Sequence, residues 1–272
     1  MSAHPFSIGE LDCVVLQEGG SFIDRDSVAA LFPDVARADI EAALGDGEPS
    51  GSLNLLLIHS GGGRILVDVG FGEAGPPGMG GALRGLDELG IAPGDIDIIF
   101  ITHFHADHIA GLCDKAGAPV YANARYITTQ AEWEAWMTTW EASSAAEDQA
   151  LLAQFRSLED HFTLVSPGDE IAPGVSVVDL AGHTPGQAGL LLESAGQRLL
   201  LMVDLLLQAF QFTHLDWHLV FDMDGAAAAE TRKRVLAECA DEQLLTLFYH
   251  LGFPGLGTIA RDGEGFAFTP VG

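Results

Sequence analysis

Positive charge is scarce in this 272-residue chain: 12 Lys and Arg face 39 Asp and Glu, a formal net charge of −27 with histidine neutral. So negative a surface repels phosphate backbones and anionic bilayers at long range, which argues against nucleic-acid or membrane partners and against strongly anionic substrates. The one tight basic run, Arg232-Lys233-Arg234, falls in a segment of helical character and reads as a solvated helix face. Cysteine is scarce too. Cys13, Cys113 and Cys239 are far apart, odd in number and in no C-x-x-C pair, so neither a disulfide scaffold nor a zinc ribbon fits, and a reducing compartment is the default. No apolar run approaches the roughly 18 residues of a membrane span. Met1–Glu10 also lacks a basic segment followed by an apolar stretch, and a cytoplasmic protein is expected. No low-complexity linker or short-period repeat divides the chain, so one domain is expected.

What is present is a folded, mixed pattern with 48% hydrophobic residues. Short apolar runs typical of buried strands occur at Asp12–Leu16, Leu53–Ile58, Ile65–Val69 and Ile96–Thr102, with Ser60-Gly61-Gly62-Gly63 as a hairpin turn. Helical spacing covers Val35–Leu44, Ala82–Leu89 and Thr128 to about Leu158. A second strand group follows at Thr163–Ser166, Val175–Leu180, Gly189–Glu193 and Arg198–Val203. Then come a helix over Ala226–Cys239 with Asp224 as its N-cap, and strands around Leu244–Phe248 and Gly265–Phe268. The segment Phe71–Gly81, rich in Gly and Pro, cannot be regular structure and is either a functional loop or a mobile surface one.

The chemistry concentrates in Ile101-Thr102-His103-Phe104-His105-Ala106-Asp107-His108, where three histidines and an aspartate fall within six residues directly after a buried strand. At an extended strand end, residues i and i+2 point the same way, so His103 and His105 can converge on one metal ion. A helix starting at Asp107 and His108 would turn that pair toward a second ion. Imidazole nitrogen and carboxylate oxygen suit zinc, and manganese, iron and cobalt are compatible with the same donors. Isolated histidines are ordinarily surface or satisfied core residues, but this density is not explained that way.

These residues resemble the H-x-H-x-D-H signature of the metallo-β-lactamase superfamily. Leu66-Val67-Asp68-Val69-Gly70 is similar to the family's strand ending in an Asp-containing turn, and Ala181-Gly182-His183-Thr184-Pro185-Gly186-Gln187 to the loop that supplies its next histidine. Asp204 matches the bridging aspartate, and His250 in Tyr249-His250-Leu251-Gly252-Phe253-Pro254 the last ligand. The resemblance implies an α+β fold, a single-domain four-layer αββα sandwich with the metals at one edge between two sheets. Residues 1–50 would add a strand and helix extension packed on it. It further implies that His103, His105 and His183 hold one ion and Asp107, His108 and His250 the other, with Asp204 between them. Asp68 would either hydrogen-bond a ligand histidine or serve its turn alone.

Two divalent ions, zinc foremost, would share a hydroxide that attacks an ester-like bond, with Asp107 and Asp204 in the catalytic role. The chain has no Gly-x-Ser-x-Gly nucleophile elbow. His105 departs from the glutamate of the di-iron flavoprotein branch, and Asp204 from the cysteine of true β-lactamases. The closest resemblance is to the lactonase and organophosphate hydrolase branch, including methyl parathion hydrolase-like proteins. It is carried by Leu31-Phe32-Pro33-Asp34, Phe210-Gln211-Phe212, Phe221-Asp222-Met223-Asp224 and Phe253-Pro254-Gly255-Leu256-Gly257. Val203 departs from the glycine common before the bridging aspartate, and Leu207 from a segment where relatives often have histidine.

The expected activity is hydrolysis of a lactone, ester or phosphotriester in a neutral or weakly charged small molecule. The alternatives are a mononuclear iron persulfide dioxygenase and a glyoxalase II-like thioesterase. Phe71, Trp136, Phe210 and Phe212 are the substrate-contact candidates, while Trp140 reads as core. His214, Asp216 and His218 read as surface loop residues. Similarity to homodimeric relatives implies a homodimer.

Overall fold

The computed structural model describes residues 3–20 and 23–271, so residues 1–2 and 21–22 of the N-terminal extension lie outside it. Two seven-stranded sheets pack face to face, each built from one half of the chain. The first contains β1 (Ala3–Ile8), β2 (Leu11–Gly19), β3 (Leu53–Ser60), β4 (Gly63–Val67), β5 (Ile98–Phe100), β6 (Arg125–Thr129) and β7 (Phe162–Val165), neighbours in chain order. β1 to β4 pair antiparallel and β4 to β7 parallel. The second contains β8 (Glu170–Ala172), β9 (Val175–Asp179), β10 (Ala188–Ser194), β11 (Gln197–Val203), β12 (Leu245–Phe248), β13 (Leu256–Asp262) and β14 (Gly265–Pro270). Within it the β11–β12 pair is parallel and the others antiparallel.

The helices are α1 (Arg25–Ala30), α2 (Arg37–Leu44), α3 (Gly81–Glu88), α4 (Ala106–Ile109), α5 (Gln130–Ala142), α6 (Ala146–Ser157) and α7 (Gly225–Glu242). The run Leu53–Ile58 is apolar at nearly every position because β3 is covered on both faces. Leu56 and Ile58 join Leu190, Leu192 and Leu201 between the sheets, whereas Leu55 and Leu57 join Leu86 of α3 and Trp140 of α5 outside the first sheet. Each such leucine contributes about 1.5–3 kcal/mol by leaving water. On the far side, α7 lays Val235, Leu236 and Cys239 against the second sheet. The layers are therefore αββα, as the resemblance implied.

Several elements differ from expectation. The helical pattern read from Thr128 to Leu158 is three elements: its start belongs to β6, and the remainder breaks between α5 and α6. Ser143 is extended at ψ 146°, and its hydroxyl accepts from Ala145 N–H and donates to Asp148, a local alternative to continuing the helix. β1, α1 and β13 carry no long apolar period and were not anticipated. α1 starts where the Asp24 carboxylate accepts from Ser27 N–H at 2.8 Å. The N-cap expected at Asp224 is present, accepting from Ala227 N–H at 2.9 Å.

The basic run of α7 is not a uniformly solvated face. Arg232 is buried and donates to the carbonyls of Leu205, Leu215 and Trp217, tying down the segment after Asp204, while Lys233 and Arg234 pair with acidic neighbours at the surface. Among the described residues, no helix is long and apolar enough to cross a membrane.

Candidate metal centre

Every predicted donor sits at one edge of the sandwich, on the loops that leave strand C-termini. β5 runs into Ile101 and Thr102, so His103 and His105 emerge on an extended stretch, and α4 begins at Ala106 and turns Asp107 and His108 across from them. His183 follows β9, Asp204 follows β11 and His250 follows β12. Val203 explains the glycine common before the bridging aspartate: its φ of +39° is in the left-handed region, which a β-branched residue adopts under strain.

The donors form two groups. His105 Nδ1 lies 3.1 Å from His103 Nε2 and 2.9 Å from His183 Nε2. Asp107 Oδ2 lies 3.6 Å from both His108 Nε2 and His250 Nε2. Asp204 reaches both groups. Its Oδ2 is 3.0 Å from His250 Nε2 and 3.5 Å from His183 Nε2, and its Oδ1 is 3.3 Å from His108 Nε2.

These spacings match donors around a metal ion, because ligands about 2.0–2.1 Å from a tetrahedral zinc lie roughly 3.3 Å from one another. Hydrogen bonding alone does not account for them. His108 Nε2 and Asp204 Oδ1 are buried and face each other, yet neither has a hydrogen-bond partner. The residues present therefore fit a dinuclear divalent centre.

Electrostatics favour the ligating protonation states. Burial, with His183 adding to it, pushes His105 down to about 3, and burial together with His108 holds His103 well below the usual imidazole range. Both rings are thus neutral donors. Burial opposes charge on Asp204, but His250, His108 and His103 outweigh it and hold the carboxyl well below its ordinary range. His108 is the exception. Burial opposes its protonation, but without an ion Asp204, Asp107 and Asp68 together raise it well above the usual value.

The surrounding partners orient the rings. Of the two readings of Asp68 the structure shows the hydrogen bond to a histidine: from a turn at φ +59°, its Oδ2 lies 2.8 Å from His108 Nδ1. Its two oxygens also accept from the N–H and hydroxyl of Thr102, each at 2.9 Å. Tyr249 stacks on His108 at 4.1 Å and donates to the Asp107 carbonyl at 2.7 Å. Asn54 donates to Phe248 O and Leu251 O, pinning the turn that carries His250. Asp222, on the far side of His183, accepts from that ring at 2.6 Å. Asn54 carried no signal in the sequence, and Asp222 stood in the noted Phe-Asp-Met-Asp segment without a role.

Above the donors opens a cavity of about 490 Å³, walled by Ile23, Leu31, Phe71, Leu207 and Phe221 and reaching His105, Asp107, His183, Asp204 and His250. Its size and apolar walls suit a small organic molecule. Val28 of α1, Ile40 of α2 and Phe32 between them pack on the segment after Asp204 at Leu207 and Phe210, which places part of the N-terminal extension at the cavity wall.

The segment from Phe71 is not wholly irregular, since Gly72–Ala74 forms a 3-10 turn and α3 begins at Gly81, and it is held in place. The buried Glu18 carboxylate accepts from the N–H groups of Gly72, Gly80 and Ala82 at 3.1, 2.9 and 2.7 Å. Of the substrate-contact candidates, Phe71 lines the cavity and the other three do not. Phe210 packs against Phe32 and Trp217 behind the wall, and Phe212 stacks on Phe268 within the main core. Trp136 meets the His105 ring edge-on at 5.6 Å but turns its indole N–H into the interior. His218 pairs with Asp34 at 3.0 Å, and none of His214, Asp216 and His218 lines the cavity.

The family model for the metallo-beta-lactamase superfamily matches residues 51–244. The chain belongs to this superfamily. Among solved structures, AidC, described as a dizinc quorum-quenching lactonase in complex with a product, superposes with a TM-score of 0.90 and 25% identity, covering 100% of this chain and 98% of that one. The hydrolase AbOPH shares the fold at a TM-score of 0.86 and 24% identity over the same shares of the two chains. By sequence, the probable metallo-hydrolase Rv2300c of Mycobacterium tuberculosis is 28% identical over 181 residues, 53% of each protein. An N-acyl homoserine lactonase of Bacillus sp is 29% identical over 109 residues, 40% of this chain and 38% of that protein. The chain spans about half the length of the mycobacterial metallo-hydrolases it matches.

Proposed function

We propose that the chain hydrolyses a lactone or related ester of a neutral or weakly charged small molecule, with phosphotriesters as a second substrate class. The observation that carries this reading is the position of two complete donor groups, joined by Asp204, at the floor of an apolar cavity. Two divalent ions held there by His103, His105 and His183 and by Asp107, His108 and His250 would supply Lewis acidity and make water a nucleophile near neutral pH. The apolar walls bind the substrate's hydrocarbon portion and exclude water around the scissile bond. Asp107, the more exposed of the two cavity carboxylates at 20%, is placed to take a proton from the attacking water and return it to the leaving oxygen. Asp204, at 3% exposure, turns an oxygen toward each donor group and would help hold both ions.

AidC and the Bacillus enzyme are named as lactonases, which supports the lactone member of the class. The test is a panel of N-acyl homoserine lactones, simple lactones, aryl esters and phosphotriesters, assayed with protein reconstituted in zinc, manganese or cobalt. Metal-dependent turnover of a lactone or ester is expected. No turnover across the panel, with one iron per chain and thiol-dependent oxygen uptake, would move the assignment to the persulfide dioxygenase reading.

A further inference from the structure

Glu132 is fully buried, and with Thr129 it forms the T-x-x-E pattern that ordinarily closes a helix N-terminus on itself. Half of that motif is present, since Thr129 Oγ1 accepts from Glu132 N–H at 3.1 Å. The carboxylate turns elsewhere. Its Oε1 accepts from Phe104 N–H at 2.9 Å and Trp136 Nε1–H at 2.7 Å. Its Oε2 accepts from the Thr184 hydroxyl at 2.6 Å and Gly186 N–H at 3.0 Å.

Phe104 lies between His103 and His105, and Thr184 follows His183, so one carboxylate joins the two loops that supply the first donor group. The Thr129 hydroxyl strengthens the join by donating to Gly186 O at 2.7 Å. The approach is tight enough to demand glycine, because a Cβ at Gly186 would come within 2.0 Å of Glu132 N. Four donors fill the acceptor positions of a carboxylate, and no neutral side chain of that length replaces all four. The second group, Asp107, His108 and His250, takes no ligand from the His183 loop.

We propose that Glu132 is a positioning residue that sets the distance between the His103/His105 loop and the His183 loop, and thereby the metal affinity of that donor group and not of the other. The proposal rests on the two-metal reading of the centre. In Glu132→Gln an NH2 faces one of the two donor pairs, so one loop loses its hold.

The test titrates wild-type and Glu132→Gln apoprotein with Zn2+ against a competing chelating indicator, with His183→Ala to identify the equivalent that belongs to the first group. Wild type should bind two equivalents. Glu132→Gln should keep one at wild-type affinity and bind the other about 10–100-fold more weakly. Thr184→Val, which removes one donor on the His183 side, should weaken the same equivalent to a smaller extent and decides the matter alone if Glu132→Gln does not fold. Glu134→Gln, on the exposed face of α5 where it pairs with Gln130, should leave both unchanged. Affinities unchanged in Glu132→Gln, or lowered alike at both equivalents, would overturn the proposal while leaving the centre intact. A single equivalent in wild type would overturn the two-metal reading and the proposal with it.

Discussion

Asp222 Oδ1 lies 2.6 Å from Nδ1 of His183, on the ring edge opposite the nitrogen that faces the metal centre. The pairing places the imidazole proton on Nδ1 and leaves the Nε2 lone pair for an ion. The second oxygen of Asp222 accepts from Leu219 N–H at 2.7 Å, which ties the ring to the loop carrying Phe221. An Asp222→Asn amide that accepts from His183 must turn its NH2 toward the Leu219 N–H. Zinc affinity of the His183 group should fall about 10–100-fold in a chelator competition.

Asp204 is the donor whose two oxygens reach both groups. Asp204→Ala should hold fewer than two ions per chain by elemental analysis, and turnover of any substrate found for the wild type should fall at least about 100-fold. Wild-type turnover in that variant would place the chemistry outside this centre.

The cavity wall makes a distinction between aromatic residues that composition does not. Phe71 and Phe221 line it, whereas Phe212 stacks on Phe268 at 5.5 Å inside the core. Phe221→Ala and Phe71→Ala should raise KM for an apolar substrate about 3–10-fold with little change in kcat, the signature of lost uniform binding. Phe212→Ala should instead cost about 3–5 kcal/mol of stability in a denaturant titration and leave KM unchanged.

Four donors were legible because their chemistry is local: His103, His105, Asp107 and His108 fall on one strand end and the helix that follows it, whereas His183, Asp204 and His250 stand alone in sequence and were reached through the family resemblance. What was not legible depends on where side chains point across the fold. Glu132 drew no reading from the sequence, because its role exists only once the loops bearing Phe104 and Thr184 are brought to it. Arg232 reads as solvated beside Lys233 and Arg234, yet α7 turns it inward to carbonyls that precede it by 15 to 27 residues. Phe210 and Phe212 follow the donor Asp204 closely in sequence yet point away from the cavity, whereas Phe71, remote from every donor in sequence, lines it. The break between α5 and α6 was missed for a related reason, since apolar period continues through it while the Ser143 hydroxyl supplies the competing local bonds.

Cys13 of β2 and Cys239 of α7 are buried in the main core, and burial pushes each thiol up to about 12. In the unfolded chain a thiol titrates near 8.5 (roughly). Above that pH the unfolded state has lost protons that the native state keeps, so the unfolded state is favoured and stability falls as pH rises toward the folded values. Below it the thiols contribute no pH dependence. The urea midpoint should therefore fall between about pH 8 and pH 10, and the Cys13→Ala, Cys239→Ala double variant should show a shallower decline. Tyr126 is also raised, to about 12, but its loss begins from a higher unfolded value and so adds mainly above that window. In native protein at about pH 8, an aromatic disulfide reagent should modify the half-buried Cys113 first and reach Cys13 and Cys239 only on unfolding. Rapid modification of all three in the native state would contradict the burial on which the alkaline decline depends.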